Sequence, residues 1–332
     1  MFRFVLLISF LVASCAEAAA APAPLKFKFD TTAVEDFLRA VDRQAMDDAA
    51  LDAIVARPGA AGMVRNTLKY VPDSPRDGYR ASLREIATTG APMSDPYQVA
   101  NAVKNAATVR TLLAAVVREQ ATMAARISAR LAPHWKRQAP VIITVRFVVG
   151  GVSDGFVLDG DTSAEFFIAL DKAGGDLAGL EQNIGHEAVH VLQRQLLLRN
   201  CPERGLGENL PVAERFMHDV YFEGVANFIA DPADVPGTGE YIDMWRSRYL
   251  RNETPQRQRE NAWLFDHLLS GLRSGDLSWE TAQQIGFYGN TDSRMYFHGR
   301  GIARKLQRAG KETLSAEFMC NAGKFFGDPT GK

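Results

Sequence analysis

The sequence predicts an α+β fold, mostly helical, with a small antiparallel sheet packed beside one long helix. Three observations predict it. Apolar residues recur at helical spacing over most of the 332 residues. A β-branched and aromatic stretch with glycine-rich turns interrupts that pattern once, between Pro140 and Leu170. The order is helices, then strands, then helices, rather than the strand–helix alternation of a doubly wound sheet. With 46% hydrophobic and 23% charged residues, the chain has ordinary globular composition and enough apolar material for a core. The formal net charge is −1. No basic patch, acidic tail or RNA-binding aromatic spacing is present, so nucleic acid is not an expected partner.

The elements follow in order. After Met1-Phe2-Arg3, Phe4 to Val12 is an unbroken apolar run, too short to span a bilayer. Small residues follow from Ala13 to Ala21. This is the layout of a secretory signal, assigned to residues 1–20. Val12-Ala13-Ser14-Cys15 resembles a bacterial lipobox, which would make a lipidated Cys15 the mature N-terminus. Ala16-Glu17-Ala18 resembles an ordinary cleavage site, which would discard that cysteine. Both readings stand. Either implies export, to the bacterial periplasm or to the outer membrane as a lipoprotein, and the lipid would be the chain's membrane contact. Residues 21–30 read as a flexible leader. Beyond Cys15 only Cys201 and Cys320 remain. In an oxidising compartment this pair is expected as a disulfide closing a long loop, against the alternative of two buried thiols.

Residues 31–139 read as an N-terminal helical region. Thr31-Thr32-Ala33-Val34-Glu35 has a hydroxyl cap and an acid in the first turn, a helix start. Further helices are expected over Asp47–Ala56, Ala61–Tyr70, Tyr79–Ile86 and Gln98–Leu131, separated by proline and glycine breakers. His134, near a helix end, reads as structural. Residues 140–325 read as the region that carries chemistry. Val141 to Val149 is a strand, Gly150 to Gly155 is turn material, Phe156 to Leu158 is a short strand, Asp159 to Asp161 turns again, and Ala164 to Leu170 is a further strand. Leu177 to Leu198 is a long helix, with Leu177, Leu180, Ile184, Ala188, Leu192 and Leu196 as its stripe. Helices are then expected over Val212–Ala230, Tyr241–Arg251, Gln256–Leu272, Ser278–Ile285, Tyr296–Ala309 and Lys311–Ala322.

The long helix carries His186-Glu187-Ala188-Val189-His190. Residues four apart share a helix face, so the two imidazoles project to one point, as a tetrahedral zinc ion needs. Glu187 lies beside that point without binding the ion, where it can take a proton from a metal-activated water. The bland reading is two unrelated histidines on a solvated helix. The helical pattern, the preceding strand region and the exported chain weigh against it. A catalytic zinc has three protein ligands and an open position. Glu223, in Tyr221-Phe222-Glu223-Gly224-Val225-Ala226-Asn227, is the third candidate. It sits on the next predicted helix, where Gly224 and Ala226 would allow close helix approach. His218 is the alternative ligand. Asp219 and Asn227, each four residues from Glu223, are candidates for orienting the ligands by hydrogen bonds. One Zn2+ per chain is the expected cofactor.

Gly185 to His190 followed by Glu223-Gly224-Val225-Ala226 resembles the gluzincins. There two histidines of the H-E-x-x-H motif and a glutamate from a following helix bind zinc. The chain is similar in particular to bacterial zinc-dependent peptidases of unknown function. These share a strand and Gly-rich turn before the motif, here Phe147 to Gly155, and a late aromatic-x-x-Gly helix start, here Tyr296-Phe297-His298-Gly299. The resemblance covers about Pro140 to Ala309. It implies a zincin-like catalytic region, His186, His190 and Glu223 as ligands, and Glu187 as general base. Thermolysin-like gluzincins carry an aspartate four residues after the glutamate. Here it is Asn227, which accepts the same hydrogen bond without the charge.

Amide hydrolysis also needs a donor to the oxyanion. Tyr296 and His298 are the candidates, against the reading in which they are core aromatic and helix cap. Tyr288 is a weaker alternative, and His267, on an amphipathic helix with Trp263, reads as structural. Ala164 to Leu170 is expected as an edge strand that pairs with an extended peptide or protein substrate. The leading function is therefore a zinc metallopeptidase. A cell-wall amidase-type metallohydrolase and a non-catalytic metal-binding envelope protein are the alternatives. The sequence points to no partner protein.

Overall fold

The computed structural model describes residues 25–43, 46–136, 138–158, 163–204, 210–288 and 292–327. The signal segment 1–20, both cleavage readings at Cys15 and the turn at Asp159–Asp161 lie outside the described residues.

The chain enters on strand β1 (Leu25–Asp30) and continues through six helices: α1 (Thr32–Val41), α2 (Asp48–Val55), α3 (Pro58–Tyr70), α4 (Gly78–Thr89), α5 (Ala100–Lys104) and α6 (Ala106–Leu131). Helix α1 starts where the cap sequence put it, and the Thr31 hydroxyl bonds Glu35 Oε1 at 2.6 Å. Helix α3 begins three residues before the expected Ala61. Pro58 sits in its first turn, where a missing N–H costs nothing. The single helix expected over Gln98–Leu131 is two, separated at Asn105. Then come β2 (Val141–Val148), β3 (Gly155–Phe156), β4 (Glu165–Ala169) and the long helix α7 (Leu177–Asn200). The remainder is helical: α8 (Val212–Ile229), α9 (Glu240–Asn252), α10 (Pro255–Ser274), α11 (Trp279–Gly286), α12 (Arg294–Arg308), α13 (Ala316–Cys320) and α14 (Ala322–Phe325). The fold is α+β and mostly helical. Of the helix expected over Lys311–Ala322, only the short α13 forms, started by Ser315, whose side chain accepts from Phe318 N.

The sheet corrects three expectations. Its strand order is β1-β2-β4-β3. β1–β2 and β2–β4 pair in parallel, and only β3–β4 is antiparallel. The sheet is therefore mixed, not antiparallel. Among the described residues six helices connect β1 to β2, a crossover long enough to bring the chain back in the same direction. Between β2 and β4 the chain reverses twice, once into β3 and once out of it, so these strands run parallel as well. The second correction concerns the leader. Residues 25–30 are not a flexible leader but a strand, with Leu25 buried and Lys26 exposed. Asp30 lies opposite Arg146, whose guanidinium bonds Asp30 at 2.6 Å and Glu165 at 2.7 Å, tying the three parallel strands together. The third concerns the edge. The strand expected from Ala164 to Leu170 is interior, because Gly155 pairs with Ile168 and Phe156 with Phe167. The edge beside α7 is β3.

Helices α1 and α3 pack on β2, α6 on β1, and α7 on β3 and β4. One hydrophobic cluster runs from Leu25 to Phe325. The boundary read at residue 139 thus falls between two paired strands of one sheet. Cys201, which ends α7, is bonded to Cys320 at the end of α13, with their Cα atoms 5.7 Å apart. Among the described residues no helix is long and apolar enough to cross a membrane.

Candidate metal centre

Helix α7 starts at Asp176, whose carboxylate caps it by accepting from Gly179 N at 2.9 Å. The same carboxylate accepts from Ile242 N at 2.8 Å, which fixes the start of α9 against the start of α7. From there α7 is buried along most of its length, through Leu180, Ile184, Ala188, Leu192 and Leu196. Its partly buried strip carries His186 and His190, about three and four turns from the cap. Helix α8 lies alongside and brings Glu223 to the same point. Helix α12 crosses α8 so closely that a Cβ on Gly224 would overlap the backbone of Gly299, and one on Gly299 would overlap the Val220 carbonyl. These two glycines let α12 approach the helix that holds Glu223, as the small residue after that glutamate suggested.

The ligand atoms of His186, His190 and Glu223 all lie within 4.8 Å of one another. The two Nε2 atoms are 3.1 Å apart, and Glu223 Oε2 is 3.2 Å from His186 Nε2 and 3.6 Å from His190 Nε2. Three ligands around a tetrahedral zinc, with bonds near 2.0–2.1 Å, are separated by roughly 3.3–3.4 Å. The proton positions make the same point. Gln193 donates its amide N–H to the Phe222 carbonyl at 3.0 Å, which turns its Oε1 toward His190 Nδ1 at 2.7 Å. Nδ1 must therefore carry the hydrogen, and His190 Nε2 presents a lone pair. Glu223 Oε2 is buried and has no hydrogen-bond partner. Two imidazole nitrogens and a carboxylate oxygen thus converge on one point, an arrangement a divalent cation satisfies. The residues present fit a zinc ion.

The electrostatics agree. Burial alone would raise the Glu223 carboxyl, but the two imidazoles hold it well below the usual carboxylate range. Burial would lower His190, but Glu223 and Glu187 push it up to about 9. The local field strongly favours a positive charge. Glu187 is 8% exposed, and burial raises its carboxyl. It lies under the edge strand: a Cβ at Gly155 would come within 2.8 Å of its Oε1.

The other sequence candidates divide. Tyr296 is partly buried on α12, edge-on to Phe287 at 5.6 Å. Its hydroxyl is raised well above the usual value, by burial first and then by the charges of Glu223, Tyr288, Glu187 and Asp219. It therefore feels the cluster and stays protonated. His298 does not join it. Two residues along a helix turn a side chain to nearly the opposite face. His298 stacks on Phe265 at 4.7 Å and Phe326 at 6.2 Å, and burial lowers its pKa to about 4. His218 is also outside the cluster, packed on the Phe222 ring at 4.3 Å and lowered by burial to about 4. Tyr288 is 51% exposed, with a hydroxyl raised to about 12 by burial and by Glu223. Asp219 accepts from Gln283 at 2.8 Å, and burial pushes it up to about 7. Asn227 does not orient an imidazole. Its amide donates to the Glu223 carbonyl at 2.8 Å, and its oxygen accepts from the Tyr249 hydroxyl at 2.9 Å. His267 stacks on Trp263 at 5.2 Å, and His134 lies edge-on to Phe228 at 6.0 Å. Sequence reasoning missed Gln193, which lies three residues after His190 and so on the same helix face.

Residues 52–320 match the family described as "Putative zinc dependent peptidase (DUF5700)". The chain belongs to this family. The matched span contains both histidines, Glu187, Gln193 and Glu223. No curated protein and no solved structure matches the chain.

Proposed function

We propose that this protein is a gluzincin-type hydrolase that cleaves peptide bonds, with His186, His190 and Glu223 as ligands of one zinc ion and Glu187 as general base. The reading rests on one observation, the convergence of two imidazole Nε2 atoms and an orphaned carboxylate oxygen beside a buried glutamate. A bound zinc ion supplies Lewis acidity, which makes water a nucleophile near neutral pH and polarises the scissile carbonyl. Glu187 takes the proton of the attacking water. A carboxyl raised by burial is better matched to that transfer near neutral pH than an exposed one. The same group then returns the proton to the leaving amine. Tyr296, held protonated, donates to the carbonyl oxygen as it gains charge. Gln193 keeps His190 in the tautomer whose Nε2 is free. The edge strand β3, directly over Glu187, offers backbone groups to an extended peptide.

Export belongs to the same reading. It is supported by the signal-like start and by the Cys201–Cys320 bond, which suits an oxidising compartment.

The test is metal analysis of the purified protein beside a Glu187→Gln variant. The expected result is one zinc per chain in both, and a loss of hydrolysis in the variant of about a hundredfold or more. A wild type that retains no zinc ends the enzyme reading. Equal rates with zinc in place end the general-base role.

A further inference from the structure

A surface cleft in the N-terminal helices has no role in the chemistry above. Ala61, Val64, Arg65 and Leu68 of α3 line one side of it. Their spacing puts them on one helix face. Val55, at the end of α2, and Tyr79 and Arg80, in the first turn of α4, line the rest. Arg80 is held by Asp48 and Asp52, which ties α4 to α2. The opposite face of α3 is the one turned to the sheet. There a Cβ on Gly62 would overlap the Phe167 ring, and the Asn66 amide donates to the Ser153 hydroxyl at 3.0 Å. The cleft therefore lies on the side of α3 away from the sheet.

The cleft combines hydrocarbon with unpaired cations. Val55, Ala61, Val64 and Leu68 are only partly buried, so apolar surface is left open to it. Arg65 and Arg76 are exposed, and neither has an ion pair or hydrogen bond among the described residues. One lining acid, Asp77, stands against these two and the paired Arg80. The charge therefore favours an anionic head, and a guanidinium offers a carboxylate two parallel N–H donors. The cleft holds ≈ 490 Å³, within the roughly 300–1,000 Å³ of small-molecule sites. No Ser, Thr, Asn or Gln side chain lines it. A peptide there would find no such side-chain partner for its backbone amides, whereas an alkyl chain needs none.

We infer that this cleft binds a medium-chain fatty carboxylate, with its alkyl chain against Val55, Val64 and Leu68 and its carboxylate on Arg65 and Arg76. The inference is independent of the hydrolase reading, since it needs neither zinc nor turnover.

Calorimetry on the full chain with sodium decanoate, sodium octanoate and decanol, each kept below the concentration at which it self-associates, tests the inference. Decanoate should bind once per chain, about tenfold tighter than octanoate, which has two methylenes fewer. It should also bind about tenfold tighter than decanol, which has the same chain length and no charge. Arg65→Gln with Arg76→Gln should bring decanoate and decanol to about equal affinity while the melting temperature holds. Leu68→Ala should weaken both by about threefold or more. Several results overturn the inference: no measurable binding, equal affinity for decanoate and octanoate, or unchanged affinity in Leu68→Ala. A carboxylate preference that survives the double arginine substitution, as binding at the metal centre would give, overturns it too. So does tighter binding of N-acetyl-leucyl-leucine, which would make the occupant a peptide, or binding only to phosphatidylglycerol vesicles, which would make it a membrane surface.

Discussion

Gln193 has no chemistry of its own, yet it decides which nitrogen of His190 is free. Its amide is clamped between the Phe222 carbonyl and His190 Nδ1, and it is fully buried. Replacing it with leucine keeps the bulk and removes the clamp. Zinc affinity measured by chelator competition should then fall about ten- to a hundredfold. Tyr296→Phe should lower kcat by about a hundredfold or more with KM nearly unchanged, as expected for a donor used only when the oxyanion forms. His298 gives the opposite expectation. It is held neutral between two phenylalanines, with its pKa pushed down to about 4 by burial against 6.5 when unfolded. The unfolded chain therefore takes up the proton first. The stability this histidine provides is complete above pH 6.5 and is lost as pH falls toward 4, by up to about 1.4 kcal/mol per pH unit. His298→Phe should keep full activity and flatten that part of the acid-unfolding profile, read from urea midpoints between pH 4 and 7. At this scale the sequence was legible where chemistry is local. Two histidines and a glutamate within five residues announce themselves, and the Glu223-Gly224 pair marks a close helix contact. Gln193 was not legible, because a glutamine on a helix has no signature until its two partners are known. The separation of Tyr296 from His298 was available from helix phase alone.

Among the elements, the crossing of α8 and α12 carries the most consequence. It joins the helix of Glu223 to the helix of Tyr296, and it has no room for a side chain at Gly224. Gly224→Ala should destabilise the protein by about 1–3 kcal/mol or more, because the methyl meets backbone that cannot turn aside. Denaturant melts measure that loss, and turnover per folded, zinc-loaded molecule should drop with it as Tyr296 is displaced. The helices themselves were readable from periodicity, with ends that moved by a few residues where a proline or a serine cap set the start. The sheet was less readable. β1 alternates as a strand should, but its partner lies beyond six helices, and nothing local tells a short alternating segment that it will find one. Strand direction depends on how often the chain reverses between strands. The two-residue β3, which makes β4 interior, is too short to leave a pattern.

For the molecule as a whole, the covalent link between Cys201 and Cys320 encloses the segment that contains Glu223, Asn227, Tyr249 and Tyr296. In the chain-entropy model, closing so long a loop stabilises the fold by about 4–5 kcal/mol at most. Cys201→Ser with Cys320→Ser should lower the unfolding free energy by about 2–5 kcal/mol, measured by guanidinium titration, while zinc remains bound to the folded fraction. Strand β1 and the helices after it pack into the same interior as the metal helices, so the first hundred described residues are structural partners of the site rather than an attachment to it. The contact between Gly155 and Glu187 has a mechanical meaning. In the proposed reaction the ligands of the metal belong to α7 and α8, while Glu187, the proposed base, is touched by the ribbon on which a peptide would lie. On that reading docking and chemical readiness share one contact, and one added methyl at position 155 would press on the Glu187 carboxylate.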